Sequence, residues 1–242
     1  GLRIIDVTDP VNPTLTGTFT TSFSREVAVV GNTAYFADGT AGLRIFDVTT
    51  PANPTLKSTF ATVNALDVVA VGNMAYVADG GSGLKIFDVT NPANPTLKGT
   101  YNTTGNAAGI SVIGNKAYVG DQASGFHILQ IWEPEVTPPT LIGTKDTAGQ
   151  ADNIDVVGNY AYISTGSPGL VIMDITTPAN PTISVVFDTA GDTNAVEVIG
   201  NLAYVADDTA GLKIIDVTVP SAPTLMSTAD TGTVRGLKTV GN

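Results

Sequence analysis

The chain has 242 residues, of which 43% are hydrophobic and only 14% charged, which argues against intrinsic disorder and allows a large core. Its formal net charge of −11 repels phosphate backbones, which argues against a nucleic-acid partner, and no polybasic run or bilayer-length apolar stretch points to a membrane. With no cysteine it can form no disulfide, no thiolate metal site and no cysteine nucleophile.

In chain order, the first predicted elements are two strands. Gly1-Leu2-Arg3-Ile4 opens an apolar run that ends at Asp6-Val7-Thr8, and a Pro-x-x-Pro bend at Pro10 and Pro13 leads into a strand reaching Thr18. Proline lacks the N–H that a ladder needs, so this bend leaves the sheet. A short apolar strand follows over Val27–Val30, then a Gly31-Asn32 turn, where both residues tolerate positive φ. Next come Ala34–Asp38, a Gly-rich turn, Leu43–Val48, the bend at Pro51 and Pro54, and Thr55–Phe60.

The same order then returns. Gly-Leu-x-Ile begins at Gly1, Gly42, Gly83, Gly169 and Gly211, with the variant Gly125-Phe-His-Ile between the third and fourth of these. Gly-Asn-x-Ala-Tyr begins at Gly31, Gly72, Gly114, Gly158 and Gly200. Self-similarity at a period of roughly 40 residues signals stacked supersecondary units. Each unit reads as four strands, here called first to fourth. The first strands are predicted at Val27–Val30, Val68–Val71, Ile110–Ile113, Ile154–Val157 and Val196–Ile199.

Segments such as Leu-Arg-Ile-Phe and Ala-Tyr-Val-Ala are apolar on both sides. A sheet with two buried faces needs a neighbour on each, which radial stacking supplies. The prediction is an all-β fold: a β-propeller of six blades, each of four antiparallel strands, in a single domain over 1–242 with repeats starting at 1, 42, 83, 125, 169 and 211. Five blades are complete, over 22–62, 63–103, 104–146, 147–189 and 190–229. The sixth is split between the termini, with its first strand at Thr233–Val240, its third and fourth at Leu2–Thr18, and its second strand missing. That gap reads as a fragment of a longer chain, or as a slot filled by a strand from a neighbouring molecule.

The words Ala-Tyr-Val-Ala-Asp-Gly, Gly-Leu-Lys-Ile-Phe-Asp-Val-Thr and Pro-Ala-Asn-Pro-Thr-Leu resemble the LVIVD repeat family, which occurs largely in bacterial and archaeal surface proteins. The resemblance covers the chain six times over. It implies a β-propeller and a surface setting, and little about activity.

Several columns of residues could carry function. Second-strand tyrosines (Tyr35, Tyr76, Tyr118, Tyr162, Tyr204) suit packing between blades rather than a stacking platform for sugars. Third-strand aspartates (Asp6, Asp47, Asp88, Asp174, Asp216) precede Val-Thr, or Ile-Thr at Asp174, and suit local turn chemistry. Asp38, Asp79, Asp121, Asp207 and Asp208 in the turns after the second strand, with Asp146, Asp152, Asp188, Asp192 and Asp230 in the loops after the fourth, predict an acidic loop end able to contact a ligand. Calcium is the cation that such oxygens would suit, but no EF-hand or calcium-repeat motif is present, and the expected cofactor is none.

The irregular third strand Gly125-Phe-His-Ile-Leu-Gln-Ile-Trp-Glu holds the sole His127 and sole Trp132; with Glu133 they are candidates for partner or glycan contact. Asp155, Glu197 and Lys238 lie in a variable first-strand column expected to line the centre of the ring. Asn102-Thr103-Thr104 is a glycosylation sequon. No catalytic residue is expected. The functional expectation is a non-catalytic binding or structural module of a cell-surface or secreted protein, recognising protein or polysaccharide. The alternatives are self-assembly into a filament or surface layer by strand complementation, and a carboxylate-based glycan hydrolase or lyase.

Overall fold

Short apolar runs broken by Gly-Asn, Gly-rich and Pro-rich segments leave hairpins as the only regular structure within reach. The computed structural model describes all residues except 10, 22, 132–137 and 238–242, and among the described residues there are strands and no α-helix. The chain divides into two compact units, Gly1–Asn102 and Thr103–Asn242, a boundary that falls between repeats.

The first unit contains β1 (Leu2–Asp6), β2 (Thr14–Phe19), β3 (Glu26–Val30), β4 (Thr33–Ala37), β5 (Leu43–Asp47), β6 (Thr55–Phe60), β7 (Asp67–Val71), β8 (Met74–Ala78), β9 (Leu84–Asp88) and β10 (Thr96–Tyr101). The pair β1–β2 forms a two-stranded sheet, and β3–β6 and β7–β10 form four-stranded antiparallel meanders. The second unit contains three such meanders. The first is β11 (Gly109–Ile113), β12 (Lys116–Gly120), β13 (Phe126–Gln130) and β14 (Thr140–Lys145). The second is β15 (Asn153–Val157), β16 (Tyr160–Ser164), β17 (Leu170–Asp174) and β18 (Thr182–Phe187). The third is β19 (Ala195–Ile199), β20 (Leu202–Ala206), β21 (Leu212–Asp216) and β22 (Thr224–Ala229).

The expected strands are therefore present, with their ends adjusted. Each complete first strand begins one residue earlier than expected. Each second strand stops before the first residue of the following turn, an aspartate in four sheets and Thr165 in the fifth. One expectation is corrected. The first strand anticipated over Thr233–Val240 does not form over 233–237, where a lone bridge joins Val234 to Asp208, and 238–240 lie outside the described residues. A first strand is held by the second strand beside it, and among the described residues none pairs there.

Within each unit, consecutive sheets face each other and their side chains divide by parity. In β17, Val171 and Met173 pack with Phe126 and Ile128 of the preceding sheet, whereas Leu170 and Ile172 pack with Val196, Val198 and Ile215 of the next. In the first unit, Tyr35, Leu43 and Ile45 meet Val68, Val77 and Phe87 in the same way. This double-faced burial explains the absence of polar alternation in these strands. Neighbouring sheets approach mainly through their first strands: β3 lies by β7, β11 by β15, and β15 by β19. Tyr35, Tyr76, Tyr118 and Tyr162 are buried; desolvation raises each phenol above its ordinary value.

Every sheet carries a bulge where its fourth strand meets its third. The position just after it is small in five of the six sheets: Gly17, Ser58, Gly99, Gly143 and Ser227. A Cβ on Gly17 would lie 1.9 Å from the Pro51 carbonyl oxygen, and one on Gly143 would lie 2.1 Å from that of Pro178. Ser58 instead donates its hydroxyl to the Pro92 carbonyl at 2.6 Å. The Pro-x-x-Pro bend thus leaves its own sheet and seats on the fourth strand of the sheet before it.

Candidate functional site

The polar chemistry of the repeat concentrates in the turn after its second strand. In the sheet β7–β10, the Asp79 amide donates to the Gly83 carbonyl at 2.8 Å, closing a tight turn that contains Gly80 at φ 54°. The Asp79 side chain then reaches the loop that enters its own sheet. It accepts the amides of Asn64 at 2.7 Å and Val63 at 3.2 Å, and Lys85 Nζ lies 3.3 Å from Oδ2. One buried carboxylate thereby ties together the entering loop, the turn and the third strand.

The arrangement recurs with different basic side chains beside the aspartate. Asp38 accepts the Phe23 amide at 2.7 Å and pairs with Arg44 at 3.0 Å, whose guanidinium also lies 5.3 Å from the ring centroids of Phe19 and Phe46. Asp121 accepts the Thr103 hydroxyl at 2.6 Å and the Gly105 amide at 2.7 Å, with His127 Nε2 3.3 Å from Oδ2. Asp207 accepts the Thr189 hydroxyl at 2.7 Å, and Lys213 stands off at 3.8 Å. The looser cation leaves burial as the main influence on Asp207. Burial raises its carboxyl above the ordinary value; Asp192 and Asp188 add to that, and Thr189 and Lys213 oppose it.

In β15–β18 both members of the pair change together. Thr165 occupies the aspartate position and Val171 the cation position. The Thr165 hydroxyl donates to the Gly169 carbonyl at 2.8 Å, and its amide donates to Thr193 Oγ1 at 3.0 Å. Where the cation is lost, the buried carboxylate is lost with it.

This geometry corrects the expected role of Asp38, Asp79, Asp121, Asp207 and His127. The four carboxylates are fully buried and His127 is 6% exposed, so none is presented to a ligand at the surface. His127 occupies the same place in its repeat as Arg44 and Lys85 in theirs, and all three face inward onto the aspartate. The exposed members of the expected acidic end are Asp146, Asp188, Asp192 and Asp230. Asp146, Asp188 and Asp230 each accept the amide two residues on, at Ala148, Ala190 and Gly232, where φ is positive. Asp152 is half-buried; desolvation raises its carboxyl, and Gln122 donates to it at 3.0 Å.

Asp155 and Glu197 are both half-buried. Asp155 accepts the Val156 amide and, from the neighbouring sheet, the Val198 amide, each at 2.8 Å, while Asn153 accepts the Val196 amide at 3.0 Å. These side chains satisfy amides on the free edge of β19, so Asp155 is more than a solvated lining. Trp132, Glu133 and Lys238 lie outside the described residues. Among the described residues, no three His, Asp or Glu side chains converge in a way that could hold a metal ion.

The third-strand aspartates form a separate column. Asp6, Asp47, Asp88, Asp174 and Asp216 each accept the amide of the threonine two residues on, at 2.8 to 2.9 Å. These threonine bonds hold Asp6, Asp88, Asp174 and Asp216 below the ordinary carboxylate value. For Asp47 the leading cause of the same shift is Lys57, a bulge residue 2.8 Å away. The bulge, which no single residue of the sequence announces, aims that lysine.

Four-stranded meanders stacked face to face, first strand toward first strand, define a repeat protein of the β-propeller class. The chain belongs to the LVIVD repeat family, whose sequence profile matches residues 1–21, 23–62, 64–103, 104–147, 148–189 and 190–231. None of the curated proteins compared with the chain matches it. Among solved structures, a candidate 6-phosphogluconolactonase of Bacteroides fragilis is similar at TM-score 0.79 and 12% identity, covering 93% of this chain and 76% of that one. One from Bacteroides uniformis is similar at TM-score 0.71 and 15% identity, covering 93% and 75%. The computationally designed Ika8 protein is similar at TM-score 0.68 and 10% identity over 88% of this chain, which spans 63% of the designed protein's length. At such identities the likeness shows the fold alone.

Proposed function

We propose that the chain is a non-catalytic binding and structural module of a cell-surface or secreted protein, and that it engages protein or polysaccharide through the exposed loops after its fourth strands. The observation that carries this reading is the division of labour among the aspartates. Those that recur in the turns after the second strands are committed to backbone amides, hydroxyls and cations inside the repeat. Asp146, Asp188, Asp192 and Asp230 remain at the surface, on loops whose neighbouring segments are held from beneath. Preformed acidic loops of this kind suit cationic protein surfaces and sugar hydroxyls.

The lactonase-like neighbours offer an enzymatic comparison. A phosphorylated lactone is anionic and would approach a chain of net charge −11 against repulsion. The test pairs a glycan array with turnover assays on gluconolactone and chromogenic glycosides. Binding that weakens in Asp146→Asn/Asp188→Asn/Asp192→Asn, without turnover, is the expected result. Turnover of either substrate, abolished in any of these variants, would contradict the reading.

A further inference from the structure

Each turn after a second strand places its second residue at positive φ. Gly39, Gly80 and Gly166 meet that demand without strain, whereas Gln122 at φ 41° and Asp208 at φ 37° carry side chains there. The turn does not need the Gln122 side chain. Gly39 exchanges backbone bonds with Ala65 at 3.0 and 2.9 Å, and Gln122 exchanges the corresponding bonds with Ala151 at 3.2 and 3.3 Å, so the side chain has not tightened the bridge. Backbone strain that the fold does not require points to a function.

The side chain serves a polar network instead. Gln122 Nε2 donates to Asp152 Oδ1 at 3.0 Å, and Gln122 Oε1 accepts from Asn106 Nδ2 at 2.7 Å. All three residues are partly exposed. An ionised carboxylate only accepts, so Asp152 fixes which way the glutamine amide points, and the glutamine in turn fixes the asparagine. Asp152 makes no ion pair among the described residues, and burial raises its carboxyl above the ordinary value. The network leaves one amide hydrogen on Gln122 Nε2 and the second oxygen of Asp152 without a protein partner among the described residues, next to each other.

A donor beside an acceptor matches a pair of hydroxyls. One hydroxyl gives its proton to the carboxylate while its neighbour accepts from the amide. A lysine or arginine side chain has no lone pair for the amide hydrogen, and an anionic group would meet both Asp152 and a chain of net charge −11. We infer that Asn106, Gln122 and Asp152 form a binding site for a neutral polysaccharide, with Asp152 accepting from one hydroxyl of a sugar ring and Gln122 donating to the adjacent one. Asn106 positions the glutamine. The site sits on the loop between β14 and β15 that also carries Asp146, so the inference rests on the loop-binding role and names its ligand. Gln122 is the specificity determinant, because the glycine found at this place in other repeats would leave the carboxylate without its companion donor.

The probes are cellohexaose, mannohexaose and maltohexaose, titrated into the chain by calorimetry and followed by NMR of the Gln122 and Asn106 side-chain amides. At least one of the three should bind the parent and shift both amide signals. Gln122→Gly should weaken that binding about tenfold or more, and Asp152→Asn should weaken it as well. Because glycine suits the positive φ, Gln122→Gly should keep its melting temperature within about 4 °C of the parent's. Three outcomes would overturn the inference: no binding of any probe to the parent, binding that survives Gln122→Gly, or a larger fall in melting temperature, which would make Gln122 a structural tie. Binding that survives Gln122→Gly but falls in Asp146→Asn/Asp188→Asn/Asp192→Asn would remove this site and leave the loop-binding role standing.

Discussion

Aspartate serves this molecule in two opposite ways, set by its surroundings. Asp88 lies partly exposed at a strand end, where the Thr90 hydroxyl and amide hold its carboxyl below the ordinary 3.8 and Lys98 adds attraction. A carboxyl depressed by folding favours the folded state above its unfolded value, and that contribution fades as pH falls through the lower folded value. Asp207 runs the other way, with burial first among its causes. Its cost to folding is absent below the unfolded value and sets in as pH rises past that value toward the higher folded one. A carbon-detected NMR titration should therefore find the Asp88 midpoint below 3.8 and the Asp207 midpoint above it. Coincident midpoints would show that the two environments do not differ as described. The sequence conveys the first role, because Asp-Val-Thr before a proline bend has a local mechanism. It does not convey the second. Asp79 and Asn64 are 15 residues apart, and only the folded loop brings them together.

At the scale of the element, the strands were legible because periodicity, Gly-Asn turns and Pro-x-x-Pro bends all mark the same boundaries. The bulge was not. It is a property of the pairing between third and fourth strands, and its clearest trace in sequence is the small residue that follows it. At Gly143 an added methyl would meet the Pro178 carbonyl oxygen of the next bend. Gly143→Ala should therefore cost about 1–3 kcal/mol in chemical denaturation, because the bend or the strand must shift to admit it. A cost near zero would mean that the bend is free to move and is not seated on the strand. Over 233–237, where a strand is expected as part of Thr233–Val240, a lone bridge joins Val234 to Asp208, and among the described residues no second strand lies beside it.

At the scale of the whole molecule, the repeat is a unit of compensation. Burying one charge without its partner is costly, and replacing a buried pair by neutral groups is often close to neutral. The repeats obey that rule among themselves: Asp38–Arg44, Asp79–Lys85 and Asp207–Lys213 keep both charges, Asp121 keeps a basic side chain, His127, beside it, and Thr165–Val171 keeps neither. The sequence displays both columns, but only the structure shows that they face each other, because the two positions are joined through a turn whose carboxylate points inward. The central claim, that these carboxylates are internal ties of the repeat, is tested most directly by a double-mutant cycle of chemical denaturation on Asp79→Thr and Lys85→Val. Asp79→Thr alone should lose about 2–3 kcal/mol, and the double variant should return to within about 1 kcal/mol of the parent. Two single costs that simply add in the double variant would contradict it.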